Sequence, residues 1–154
     1  MFCTDTSALI YGWREAYPPD VFASVWDGIG QLASNGILIA PEEVLLELER
    51  REDELYQWAR SHRSMFAQPD IVVQQEVKKI VNRWPTFIPE ISPDGAWADP
   101  YVIALATVRR AVVVTAEKPV GANARRPKIP NVCYALNIPC TDLLGLLRSQ
   151  GWNF

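Results

Sequence analysis

Short, uninterrupted apolar runs alternate with amphipathic stretches along this chain, and that alternation narrows its possible folds more than any other feature. The runs are Met1–Thr4, Ile37–Ile39, Ala111–Thr115 and Ile138–Cys140. Each is too short for a helix and shows no polar alternation, so each reads as a strand buried on both faces. Between them, apolar residues recur at helical spacing. Phe22, Val25, Trp26, Ile29 and Leu32 form one stripe, and Val44, Leu45 and Leu48 another. Leu55, Trp58, Ala59 and His62 share a third face, and Val73, Val77, Ile80, Val81 and Trp84 a fourth. Single buried strands joined through helices require βα units and a sheet covered on both sides. The expected fold is therefore α/β: three layers, α/β/α, around a central, mainly parallel sheet of four to five strands. With 154 residues, one domain spanning 1–154 is expected.

Local signals set the expected boundaries. Asp20 is the predicted N-cap of the first long helix, and Asn35-Gly36 its end. Pro41 is placed in the first turn of the next helix. A helix is predicted over Asp53–Phe66, and another opens at Pro69-Asp70. Residues 84–97, with a Pro93-Asp94-Gly95 turn, read as loop. Asp99-Pro100 predicts a helix with Asp99 as N-cap, running to about Arg109. Residues 116–130 read as loop, and Val132–Leu136 as one or two helical turns. Thr141 is the predicted cap of a last helix, Asp142–Gln150.

Composition excludes several classes. Hydrophobic residues make up 49% and charged residues 21%, which is too apolar for a disordered chain. Three cysteines without a CxxC pair, and one histidine, argue against a zinc site or a disulfide framework. Asp5 interrupts the N-terminal apolar run, and no run reaches membrane-span length. The chain reads as a soluble cytoplasmic protein with ordinary buried thiols and no membrane contact. Its net charge of −3 is unevenly spread: residues 1–54 hold eleven acids and three bases, residues 109–154 two acids and seven bases. Such a split directs attention to a site.

In parallel α/β sheets, ligands bind beyond the carboxyl ends of the strands. Asp5, followed by Thr6 and Ser7, ends the first run. Glu43 and Glu47, spaced i, i+4 on one helix face, follow the second. Thr115 and Glu117 follow the Val112–Val114 run, and Asp99 opens the helix leading into it. A carboxylate cluster repels itself unless a cation is present. Oxygen ligands suit Mg²⁺ or Mn²⁺, and a divalent ion with open positions suits phosphoryl chemistry. Each acid also has a plain structural role. Asp5 suits an Asx turn, Asp99 a cap, Glu43 and Glu47 a solvated helix face, and Glu117 a pair with Lys118 or a loop arginine. Arg125, Arg126 and Lys128 suit either RNA phosphates or an acidic partner segment. Trp97 can stack on a base or pack; His62 and the remaining tryptophans read as core or interface.

Asp5-Thr6-Ser7-Ala8-Leu9-Ile10 resembles the opening motif of PIN-domain nucleases. Residues 41–48, PEEVLLEL, resemble their second motif, with Glu47 in the acid position and Glu43 in reserve. Residues 98–106, ADPYVIALA, resemble the third, and residues 113–118, VVTAEK, the fourth. The four occur in the family's order across nearly the whole chain, which most resembles the VapC-like toxin branch. That resemblance implies a PIN-like fold and a metal-dependent endoribonuclease, commonly the toxin of a toxin–antitoxin pair. Its implied partners are an RNA substrate, a cognate antitoxin and, in many members, a second copy of the chain. It implies Asp5, Glu47, Asp99 and Glu117 as catalytic metal ligands for Mg²⁺ or Mn²⁺, with Ser7, Thr115 and Glu43 supporting. The implied products are a 5′-phosphate and a 3′-hydroxyl. The chain departs from the pattern in having Glu117 where Asp is common, Pro100 directly after Asp99, and a long Leu55–Pro93 insertion. Two alternatives stand beside it: a non-catalytic RNA- or protein-binding PIN-like module, and an aspartyl-phosphate phosphatase. The latter usually needs a second Asp two residues after the first, where this chain has Ser7.

Overall fold

A computed structural model describes residues 1–88 and 97–154; the Pro93-Asp94-Gly95 turn lies outside the described residues. Five short strands form one sheet: β1 (Phe2–Thr4), β2 (Leu38–Pro41), β3 (Phe66–Ala67), β4 (Val112–Val114) and β5 (Cys140–Thr141). Their order is β3-β2-β1-β4-β5, and every neighbouring pair is parallel. In register, Phe2 faces Leu38 on one side and Val112 on the other, and Thr4 faces Val114. The α/β/α architecture expected from the sequence is present, with all five strands parallel.

Among the described residues, eight α-helices accompany the strands: α1 (Thr6–Tyr11), α2 (Ala23–Ser34), α3 (Glu42–Glu49), α4 (Glu54–Ser61), α5 (Ile71–Arg83), α6 (Asp99–Arg109), α7 (Ile129–Ala135) and, after the last strand, α8 (Leu143–Ser149). The chain steps outward from β1 to β3, then returns to add β4 on β1's other side. Right-handed crossovers therefore place α1–α4 on one face and α5–α7 on the other. The packing agrees: α1 meets α3 and α3 meets α4, whereas α6 meets α5 and α7 and lies across β1, β2 and β4. Val102, Ile103 and Leu105 of α6 are buried against the sheet side of the core, with Val113 and Val114 beneath.

Three helices return to the sheet through the same hydrogen-bonded turn. After α2, Gly36 (φ +69°) donates to Ala33 O and Ile37 to Leu32 O. After α6, Arg110 (φ +53°) and Ala111 repeat the pattern with Thr107 and Ala106; after α7, Asn137 (φ +54°) and Ile138 repeat it with Tyr134 and Cys133. This left-handed cap satisfies the last helical carbonyls and turns the chain straight into the next strand. Only the first uses glycine.

Several boundaries differ from expectation. Asp20 does not cap α2; residues 18–22 form a turn closed by Phe22 N–H to Pro18 O (2.8 Å), and the helix begins at Ala23. Pro41 ends β2 with extended ψ rather than entering α3. The predicted Asp53–Phe66 helix stops at Ser61, and Phe66-Ala67 instead pairs with Ala40-Pro41 as an edge strand. Tertiary pairing overrode a helical spacing there. α7 begins earlier than expected, at Ile129, and Asp142, not Thr141, caps α8 by accepting from Gly145 N–H (2.8 Å). Cys3 and Cys133 are buried but Cys140 is exposed, because it lies on the edge strand. Among the described residues, no helix is long and apolar enough to cross a membrane. Trp26 is buried core, part-buried Trp13 and Trp58 pack on it edge to face, and His62 stacks on Trp58 (ring centroids 4.5 Å).

Candidate functional site

The strand order reverses between β1 and β4, the place where a doubly wound sheet opens a crevice at its carboxyl edge. Asp5 leaves β1 at that point and is 1% exposed. Its Oδ1 accepts from Ala8 N–H (2.7 Å), so it caps α1. Ser7 Oγ donates to the same carboxylate at 2.8–2.9 Å. Thr115, arriving from β4, donates a short hydrogen bond to Oδ2. The hydroxyls are anchored in turn: Ser7 Oγ accepts from Ala116 N–H (3.1 Å) and Thr115 Oγ1 from Glu117 N–H (3.0 Å). One network thus ties the ends of β1 and β4 around a buried acid.

Asp99 is not the N-cap that its Asp-Pro sequence suggests. Ala98 takes the cap position in a helical conformation, which puts Asp99 inside the first turn, where its side chain makes no capping bond. The helix start is satisfied from elsewhere: Glu47 Oε1, on α3, accepts from Ala98 N–H at 2.8 Å. Glu117 is held similarly, its Oε2 accepting from Ile129 N–H at the start of α7 (2.9 Å). Two acids are therefore oriented by backbone amides, and Asp99 is left part-buried without such a partner among the described residues.

The electrostatics follow. Burial pushes the Asp99 carboxyl up to about 8, with Glu117, Asp5 and Glu47 adding repulsion and Arg126 opposing it. Burial pushes Asp5 up to about 7, against the lowering effect of its bonds to Thr115, Ala8 and Ser7, with Glu117 again raising it. Asp5, Glu47, Asp99 and Glu117 thus share one electrostatic site, a buried and a part-buried acid amid further carboxylates. Their oxygens are hard donors of the kind Mg²⁺ and Mn²⁺ prefer. Among the described residues, no three His, Cys, Asp or Glu side chains are already gathered around a single ion position.

Of the basic loop, Arg126 reaches the cluster. Its Nη2 stands 4.0 Å from Asp99 Oδ2, its Nε donates to Phe87 O (3.0 Å), and its guanidinium lies over the Trp97 ring at 4.6 Å. Trp97 therefore packs beneath an arginine. Arg125 is exposed on the loop, and Lys128 occupies the N-cap position of α7. Glu43, the reserve acid, points elsewhere. Its Oε2 is buried without a hydrogen-bond partner among the described residues, and burial and Glu42 raise its carboxyl. Burial, and then Glu43, raise the neighbouring Tyr101 hydroxyl.

Residues 2–154 match the family described as "Domain of unknown function (DUF4411)". The chain belongs to that family. A search of the curated proteins finds no match to this DUF4411 chain. Among solved structures, it is similar to the VapBC2 complex from Rickettsia felis bound to a DNA fragment from their promoter. The likeness has a TM-score of 0.53 at 13% identity and covers 92% of this chain and 97% of that one. At such identity it speaks to the fold: the DUF4411 chain shares that architecture over nearly its whole length.

Sequence reading of the DUF4411 chain missed the amides that fix Glu47 and Glu117. Both bonds join elements distant in sequence, so no local spacing signals them. It also missed Arg126 as a neighbour of Asp99. The Trp97–Asp99 and Arg125–Lys128 segments each showed function-suggestive residues, but only the crossover at β4 brings them together.

Proposed function

We propose that this chain is a divalent-metal-dependent endoribonuclease, the toxin of a toxin–antitoxin pair acting in the cytoplasm. The observation that carries the reading is the grouping of buried Asp5 and part-buried Asp99 with Glu47 and Glu117 at the β1/β4 switch point, with the first two carboxyls pushed toward neutrality. Such a set is unfavourable when ionised and becomes favourable once a cation enters. Asp5 and Asp99 would hold one Mg²⁺ or Mn²⁺, with Glu47 and Glu117 completing the site or holding a second ion. The bound ion supplies Lewis acidity at a phosphate oxygen and a lowered pKa for its water.

The chain's own groups do the rest. Ser7 and Thr115 hold the Asp5 carboxylate in one rotamer, and the Ala98 and Ile129 amides do so for Glu47 and Glu117. Arg126 brings positive charge to the rim, where a phosphodiester enters a site otherwise lined by acids. Arg125 and Lys128 extend that basic edge. The acidic N-terminal third supplies Asp5 and Glu47 to this site and the basic C-terminal third the loop beside it, while most of the acids in residues 42–54 lie on solvated surface. An antitoxin partner is supported by the structural likeness to a VapBC2 complex, and a second copy of the chain by the family resemblance alone.

The test is cleavage of single-stranded RNA by purified protein with Mn²⁺, with and without EDTA, alongside Asp5→Asn. Loss of cleavage in both controls is expected, and cleavage that survives either refutes the mechanism. Calorimetric titration with Mn²⁺ separates the alternative: no metal binding with RNA binding intact would assign a non-catalytic RNA-binding module.

A further inference from the structure

Beside the carboxylate cluster lie two adjoining cavities. One, of about 440 Å³, is lined by Ser7, Tyr11, Arg14 and Glu117 among others and so opens onto the cluster itself. The second, of about 320 Å³, is lined by Tyr11, Tyr17, Lys118, Asp142 and Leu143 among others. Tyr11 and Ala116 line both, so a chain lying across the cluster passes directly from one into the other.

The second cavity has the parts of a base-binding site. Tyr11 is 52% exposed and lines both cavities, so its ring is open to stacking. Tyr17 is held edge to face by Phe22 (5.8 Å), and burial, then Asp142 and Tyr11, raise its hydroxyl while Arg148 opposes them. Lys118, one residue beyond Glu117, supplies a cation at the mouth. Asp142 is half committed: Oδ1 accepts from Gly145 N–H to cap α8, and Oδ2 accepts no hydrogen bond among the described residues.

We propose that this Tyr11–Tyr17–Asp142 cavity is a base-recognition subsite that receives the nucleobase adjoining the cleaved phosphate and prefers guanine. The position of that phosphate rests on the ribonuclease reading; the base preference rests on the cavity alone. Single-stranded RNA bases are recognised by stacking on aromatic rings and by hydrogen bonds to their Watson–Crick edges. An ionised carboxylate only accepts. Guanine presents two adjacent donors on that edge, N1–H and N2–H₂. Uracil presents a single donor flanked by two carbonyl oxygens, which the Asp142 carboxylate repels. Adenine and cytosine, each with one amino donor beside an acceptor, fall between.

The swap Asp142→Asn gives a directional test. The α8 cap needs an oxygen, and Asn caps as well as Asp. The amide oxygen therefore stays on Gly145 N–H, and the NH₂ group takes the place of Oδ2. A donor replaces an acceptor, so the preference moves from guanine toward uracil.

The experiment has two arms. In the first, 5′-GMP, 5′-AMP, 5′-CMP and 5′-UMP are titrated calorimetrically into the metal-free protein in EDTA. Wild type is expected to bind GMP about tenfold more tightly than UMP. Asp142→Asn erases or inverts that order with its melting temperature unchanged, and Tyr11→Ala weakens all four by roughly tenfold. In the second, RNA oligonucleotides that differ only in the nucleotide beside one phosphodiester are cleaved with Mn²⁺, and the guanine variant is cleaved fastest. GMP binding without cleavage refutes the nuclease reading and leaves the base subsite standing. Cleavage with no base preference, or mononucleotide affinities that Asp142→Asn does not reorder, overturns the subsite.

Discussion

Replacing Asp99 by Asn should make the metal-free protein more stable, not less. Asp99 is largely buried, accepts no hydrogen bond among the described residues, and has Arg126 no closer than 4.0 Å. Its carboxyl stands at about 8 in the fold against 3.8 as a free side chain. A raised acid pKa means that the folded state holds the proton more tightly than the unfolded state. That contribution is fully present below about pH 4 and is lost progressively as pH rises to about 8. At ~1.36 kcal/mol per unit, the loss at pH 7 has an upper bound of roughly 4 kcal/mol. Relaxation and water entry reduce it, so about 1–3 kcal/mol is expected. Asparagine keeps the shape and cannot ionise. Asp99→Asn should therefore raise the melting temperature at pH 7.5, in EDTA, by roughly 2–10 °C. The gain should shrink as pH falls toward 4. Differential scanning calorimetry across pH 4–8 measures it. Mn²⁺ should stabilise wild type at pH 7.5 and leave Asp99→Asn nearly unmoved. A variant that is destabilised at pH 7.5, or a gain independent of pH, refutes the claim that ionised Asp99 is held against repulsion.

Other changes test the neighbouring contacts. Glu47→Ala strips Ala98 N–H of its acceptor, and a cost of about 1–2 kcal/mol with faster amide exchange in the first turn of α6 is expected. Arg126→Ala removes the cation nearest Asp99 and the cover over Trp97; RNA binding should weaken and lose part of its salt dependence, read by anisotropy at two ionic strengths. Arg110 holds a left-handed φ of +53°, so Arg110→Gly should stabilise the fold by about 1 kcal/mol in urea unfolding. Gly12→Ala drives a methyl into Leu143 Cδ2, where α8 packs on the helical segment that continues α1; a loss of about 1–3 kcal/mol is expected, and Leu143→Ala should partly rescue it.

How much of this was legible in the sequence differs from element to element. β1, β2 and β4 announced themselves, because a run such as Val112–Val114 buried on both faces has no other reading at that length. Asn35-Gly36 announced its turn, since glycine removes the steric cost of positive φ. Asn137 tolerates the same φ, whereas Arg110 adopts it with no local preference, held by the bonds of its own turn to Thr107 O and Ala106 O. Phe66-Ala67 became a strand because the free edge of β2 was available to it.

The candidate site divides along the same line. Asp5, Asp99 and Glu117 were legible as acids at strand ends or at the start of a crossover helix, a placement that a parallel sheet forces onto one edge. Residue spacing alone left Glu47 and Glu43 level, and the family resemblance put Glu47 first. In the fold Ala98 N–H reaches Glu47 Oε1, while Glu43 lies beside Tyr101. Nor could the sequence say whether Asp99 spends its carboxylate as a cap. The helical Ala98 took that position, and a residue's cap geometry depends on how the preceding chain enters the helix. Sequence alone determined which chemistry was available and at which edge of the sheet. Tertiary structure decided which carboxylates share a site, because hydrogen bonds between distant segments and the loss of water around buried charge exist only in the folded chain.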